Sequence, residues 1–268
     1  MDDDRLPVGV SRSPVGVYAA ADARSALFMD MTLWVVAAAG VATLVGATIQ
    51  GSIGFGMNLV TVPVLALVLP ESLPVAVIVL GIPVSATMLR HEWASLDRAG
   101  LGWIIGGRLL GTALGAWIVA SVQTSTLSMV VGTIILAIVA ASVLMPPVPV
   151  RPTTQAVTGA VSGITGTAGG IGGPPLALLY QHRTGPTIRA TLAASFLIGT
   201  VISLAALGIS GSVRGDQLAL GAGLAPLVIA GVVLGRRSHE LLDRGWMRPA
   251  VLSFAAIAAV VVITDAAL

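Results

Sequence analysis

The chain contains no cysteine and no lysine, and aromatic residues make up only 4% of it. Without cysteine there can be no disulfide, no thiol nucleophile and no Cys-ligated metal. All of its 14 basic residues are arginine, and the net charge is +2. No basic run is interleaved with aromatics, so nothing suggests a nucleic-acid surface. Charge of either sign is scarce: 10% of residues are charged against 56% hydrophobic, and the mean hydropathy is +0.96. A soluble protein carries roughly 25% charged residues, so this surface cannot be mostly aqueous. Enzyme signatures are missing as well. There is no His-Glu-x-x-His, no Gly-x-Ser-x-Gly, no Walker loop and no pair of aspartates inside an apolar segment. Catalysis, ATP-driven transport and a cofactor are therefore not expected.

What is present is a series of long apolar segments. A membrane-spanning helix needs about 20 apolar residues, and residues 31–52, 72–90, 99–121, 125–145, 187–210, 217–237 and 246–266 meet or approach that length. The expected fold is all-α, a polytopic transmembrane bundle of about 8 spans. Residues 1–30 are punctuated by charges and read as a disordered or interfacial tail outside the bundle. The run Pro146-Pro147-Val148-Pro149-Val150-Arg151-Pro152 cannot be helical and divides the chain. The expected organisation is a first transmembrane repeat over 31–145, a linker over 146–155 and a second repeat over 156–268.

Two elements are irregular: 55–70 is short, and 156–181 is interrupted. At these places lie the glycine motifs Gln50-Gly51-Ser52-Ile53-Gly54-Phe55-Gly56-Met57-Asn58 and Gly166-Thr167-Ala168-Gly169-Gly170-Ile171-Gly172-Gly173-Pro174-Pro175. Gly54 and Gly170 are 116 positions apart. The pair Gly111-x-x-x-Gly115 corresponds to Gly231-x-x-x-Gly235 at an offset of 120. The shared order of broken element and spans predicts two homologous halves with discontinuous helices.

A helix break in lipid survives only where protein or a water-filled cavity covers its free backbone groups. Breaks at matching positions of two halves point to a transporter's substrate site. Each break exposes N–H groups at a helix start, where the dipole adds positive charge and anions bind. Gly54 and Gly56 in the first motif, and Gly169, Gly170, Gly172 and Gly173 in the second, would form the cradle, with Pro174 or Pro175 in a helix's first turn. Gln50, Ser52, Asn58 and Thr61, with Thr165 and Thr167 opposite, supply side-chain hydrogen bonds. Arg108 stands inside the span 99–121 with no acidic residue within a helical turn. It either lines a cavity and favours an anion, or snorkels to the interface.

Other polar residues read as peripheral. His91, His182 and His239 fall in or beside loops, Glu71 reads as a helix cap ahead of a proton carrier, and Asp97 with Arg98 as a solvated loop pair. If every later span crosses once, Arg183, Arg189, Arg236, Arg237, Arg244 and Arg248 fall on one side. Arg90, Arg98, Arg151 and Arg214 then fall on the other. The first side would be cytoplasmic and the C-terminus outside.

The segment Gly51-Ser52-Ile53-Gly54-Phe55-Gly56 followed by Val62-Pro63 resembles the first motif of the sulfite exporter TauE/SafE permeases. Gly163-x-x-Gly166-x-x-Gly169-Gly170-Ile171-Gly172-Gly173-Pro174-Pro175 resembles the second, over a likeness covering about 31–266. The resemblance implies an inner-membrane protein of seven to nine spans with an internal repeat. It also implies a role in moving sulfite, organosulfonates or related small anions. The expected partners are such an anion and the lipid bilayer, with a homo-oligomer left open. The expected mechanism is secondary alternating access. A channel-like anion pore and a non-transporting scaffold subunit are the alternatives.

Overall fold

The computed structural model describes residues 14–144, 148–237 and 247–267. The chain divides into two units, Met1–Ala37 and Ala38–Leu268, and the second carries the bundle and the candidate site. The described residues are all-helical, with no strand. The helices are α1 (Pro14–Ile53), α2 (Met57–Val68), α3 (Val75–Glu92), α4 (Arg98–Ser121), α5 (Thr124–Leu144), α6 (Pro152–Ala168), α7 (Gly173–Tyr180), α8 (Gly185–Ile209), α9 (Gly215–Arg237) and α10 (Met247–Ala267). Among the described residues, five helical stretches are long and apolar enough to cross a membrane: Trp34–Ile53, Val75–Ser95, Arg98–Ser121, Gly185–Ile209 and Gly215–Arg237.

Two sequence expectations need correcting. Residues 14–30, expected as a disordered or interfacial tail, are helical and form the leading part of α1. Pro14 suits a first turn, and the run Tyr18-Ala19-Ala20-Ala21 favours helix despite the neighbouring charges. Residues 1–13 lie outside the described residues, as do His239 and Arg244. The proline-rich linker also ends earlier than 155, because Pro152 occupies the first turn of α6 and Thr154 Oγ1 accepts the Arg151 N–H at 3.0 Å.

Glycine sets the helix contacts. On α4, a Cβ added at Gly107 or Gly111 would collide with Ala156 O or Ala160 O of α6. The two backbones thus touch directly, which lets membrane helices pack without a hydrophobic drive between them. Residue numbers rise together along this contact, so α4 and α6 run in the same direction. The Gly231 and Gly235 backbone of α9 meets Leu44 and Thr48 of α1 in the same manner. Each Gly-x-x-x-Gly helix therefore rests on the helix that precedes a glycine break in the other part of the chain.

The breaks are hairpins. After α6, Ser162 Oγ donates to Gly172 O at 2.7 Å, and Gln155 Nε2, near the start of α6, donates to the Tyr180 hydroxyl at the end of α7 at 2.7 Å. The chain therefore turns back to the end of the bundle it came from. In the first break, α2 turns back along α1, with Met57 beside Gly46 and Thr61 Oγ1 donating to Ala42 O at 3.4 Å. The α6–α7 hairpin comes from one end of the bundle and the α1–α2 hairpin from the opposite end.

This return changes the distribution of charge. Assigning loops by alternation requires every later span to cross once, and α6 and α7 together do not. At one end, Asp97 accepts from the Tyr180 hydroxyl at 2.8 Å and from Gln155 at 3.3 Å, while Arg189 pairs with Glu92 at 2.7 Å. Arg90, Arg98, Arg151, Arg183 and Arg189 share that end. Helix α9 begins at the other, where Arg214 pairs with Glu71 at 3.2 Å and Gln217 donates to Glu71 O at 2.7 Å. It runs beside α3 and delivers Arg236 and Arg237 to the first end. Glu71 is thus an exposed ion-pair partner in a 3-10 turn (Pro70–Ser72). Asp97 is not a plain solvated residue either, because it caps α4 by accepting the Gly100 N–H at 3.0 Å and ties to it α6, α7 and, through its own N–H donated to Thr191 Oγ1 at 3.2 Å, α8.

Candidate functional site

The two break regions converge on a cavity of about 50 Å³ near the middle of the bundle. Its walls include Gln50, Gly56 and Asn58 from the first break, Gly170, Gly172, Gly173 and Pro174 from the second, and Arg108 from α4. All of these are positions that the sequence singles out. A water-sized group needs roughly 10–15 Å³, so the space suits a few such groups, the scale of a small inorganic ion.

The backbone at the breaks requires glycine. Gly54, Gly56 and Gly170 have φ of 96°, 113° and 71°, a region other residues rarely enter. A Cβ at Gly170 would also strike Val77 Cγ2. The first break is fastened by Gln50, whose backbone oxygen accepts the Gly54 N–H at 2.8 Å and whose side chain accepts the Met57 N–H at 3.1 Å. Asn58 Nδ2 donates across the cavity to Gly170 O and so joins one break to the other. In the second break, Thr165 O accepts the N–H groups of Gly169 and Ile171 at 3.0 and 3.1 Å.

Arg108 lies deep within the protein, with 4% of its surface exposed, so it does not snorkel. Its Nη1 donates to Ser162 Oγ at 2.9 Å. The backbone of Gly199 on α8 lies against the guanidinium, where a Cβ would collide with Arg108 Nε. Among the described residues no carboxylate lines the cavity, and Arg108 supplies its only formal charge. Five buried side-chain atoms among these residues lack a hydrogen-bond partner, and three of them belong to residues lining this cavity: Arg108 Nε, Asn58 Oδ1 and Ser85 Oγ. Buried polar groups are expensive unless satisfied, and three around one charged cavity call for a polar occupant.

The remaining sequence candidates lie elsewhere. Ser52 Oγ donates to Gly235 O at 2.8 Å and binds α1 to α9. Gly54 faces the stem of Arg189, and Thr61 bonds Ala42 O. Thr165 Oγ1 donates to Val161 O in its own helix, and Gly169 caps α6. Thr167 stands behind the wall, sharing a hydrogen bond of 2.8 Å with Ser203, which does line the cavity. The second cradle has few donors, since Pro174 and Pro175 lack N–H groups. Sequence reasoning missed Ser85, Ser162, Phe196, Thr200 and Ser203. The serines and Thr200 carried a usable sign, since they are polar residues within apolar segments.

A bundle of apolar helices enclosing a small polar cavity between two hairpin breaks has the build of a membrane transport protein. The chain belongs to the sulfite exporter TauE/SafE family, a family of membrane transporters, whose model matches residues 31–262. No curated protein and no solved structure matches the chain.

Proposed function

We propose that the protein carries a small anion, sulfite or a compact organosulfonate, across the cytoplasmic membrane by alternating access. The observation that carries this reading is Arg108, a buried guanidinium with no carboxylate partner among the described residues, in a cavity bounded by both glycine breaks. An arginine fork matches the oxygens of an oxyanion. The free Nε and the Ser85 hydroxyl can donate to it, while the Asn58 amide N–H is engaged with Gly170 O. The small volume favours an inorganic oxyanion over one with a long organic tail. Residues 31–145 and 156–268 read as inverted repeats, because their hairpins come from opposite ends and each Gly-x-x-x-Gly helix packs on the other's hairpin. Rocking of such halves about a central site would expose it to each side in turn.

Thermal unfolding of the purified protein tests the reading. A ligand that binds only the folded state adds about 2.7 kcal/mol at 100 times its Kd. Sulfite should raise Tm in the wild type and leave Arg108→Met unmoved. Equal stabilisation of both proteins would contradict the assignment of Arg108.

A further inference from the structure

Beside the central cavity lies a second one of about 160 Å³. Pro174, Ala177, Leu178 and Gln181 line it, and their spacing of three, four and seven residues forms one stripe along α7. At 1.5 Å per residue this stripe runs about 10 Å, from the break to the arginine-rich end of the bundle. Pro174 borders both cavities. The vestibule and the site are therefore neighbours separated by a thin wall.

The wall is aromatic. Phe55 lines the vestibule and Phe196 lines the central cavity. A Cβ added to Gly173 would lie 3.4 Å from both Phe55 Cβ and Phe196 Cζ, so the bare Gly173 backbone closes the gap between the two residues. Phe55 is held between Gly54 and Gly56, both at positive φ, in the one short stretch joining α1 to α2. Its attachment is thus a pair of glycine hinges, while Phe196 is fixed in the middle of α8.

From this arrangement we infer that Phe55 is the gate between the anion cavity and a permeation path along α7, closing against Phe196 and Gly173. The path opens at the arginine-rich end, where Arg189, bonded to Glu92, flanks Gly54 at the hinge. The inference rests on the reading of the central cavity as the anion site, but its test does not depend on transport.

The chain has no cysteine, so Ser85→Cys places a single thiol in the cavity. Its modification by an impermeant methanethiosulfonate is followed from each side of sealed vesicles of known orientation. A closed gate leaves the open form at roughly 0.1–10%. Adding Phe55→Ala should therefore speed modification from the arginine-rich side by about tenfold or more, with no gain from the opposite side. Phe55→Trp should slow it. Unchanged rates in both variants, or equal acceleration from both sides, would overturn the gate. If methanesulfonate, which unlike sulfite does not react with the thiosulfonate reagent, fails to protect the introduced thiol while Phe55→Ala still accelerates its modification, the gate stands and the anion reading falls.

Discussion

At the residue scale the site depends on how Arg108 is held rather than on its presence alone. Gly199 leaves the guanidinium its place, and Ser162 ties it to the second break. Gly199→Ala keeps the charge but drives a methyl group into Nε. The expected result is a loss of sulfite affinity of about ten- to a hundredfold, the scale of one charge-assisted hydrogen bond at 1.5–3 kcal/mol, as read by calorimetric titration. Unaltered affinity would mean that the fork does not touch the anion. Burial of Arg108 is not legible in the sequence. A side chain in the middle of α4 can reach towards an interface or turn inward, and only the neighbouring helix decides. The role of Asp97 is hidden for a related reason: its partners Gln155 and Tyr180 lie 58 and 83 positions away.

At the scale of elements, small residues have two distinct uses that sequence alone does not separate. Gly106 and Gly107 are adjacent on α4, yet a Cβ at Gly106 meets nothing within 4 Å while one at Gly107 strikes Ala156 O. Gly106→Ala should therefore be neutral or stabilising by up to about 1 kcal/mol from helix propensity. Gly107→Val should force α4 off α6 and cost about 3 kcal/mol or more. Equilibrium unfolding in mixed detergent checks both, and similar effects at the two positions would contradict the α4–α6 contact. The breaks themselves are legible, because clustered glycine followed by proline has few uses inside an apolar chain. That α6 and α7 form a returning hairpin is not. Hydropathy counts apolar residues but carries no sign for the direction in which the chain leaves a break.

At the scale of the whole bundle, the returning hairpin decides where the charges gather. Within the unit Ala38–Leu268, Arg90, Arg98, Arg151, Arg183, Arg189, Arg236 and Arg237 share one end, and Arg214 lies at the other, where Asp216 and Glu71 offset it. Basic loops stay in the cytoplasm, which predicts that the arginine-rich end, and with it the mouth of the α7 path, faces inward. The thiol of His182→Cys should resist an impermeant reagent in intact cells, and that of Ser212→Cys should react. The reverse pattern would invert the protein in the membrane. The helical bundle and the likeness to the family follow from composition and two motifs. The arrangement of charge requires the three-dimensional path of the chain.

If a small anion crosses the membrane through the cavity held by Arg108, transport must stop when that charge is removed. The decisive measurement is flux of radiolabelled sulfite in proteoliposomes, with wild type and Arg108→Met incorporated at equal density. The wild type should show saturable exchange, and the variant should fall to the rate of empty vesicles while retaining its fold. Saturable exchange of equal rate in the variant would contradict the account.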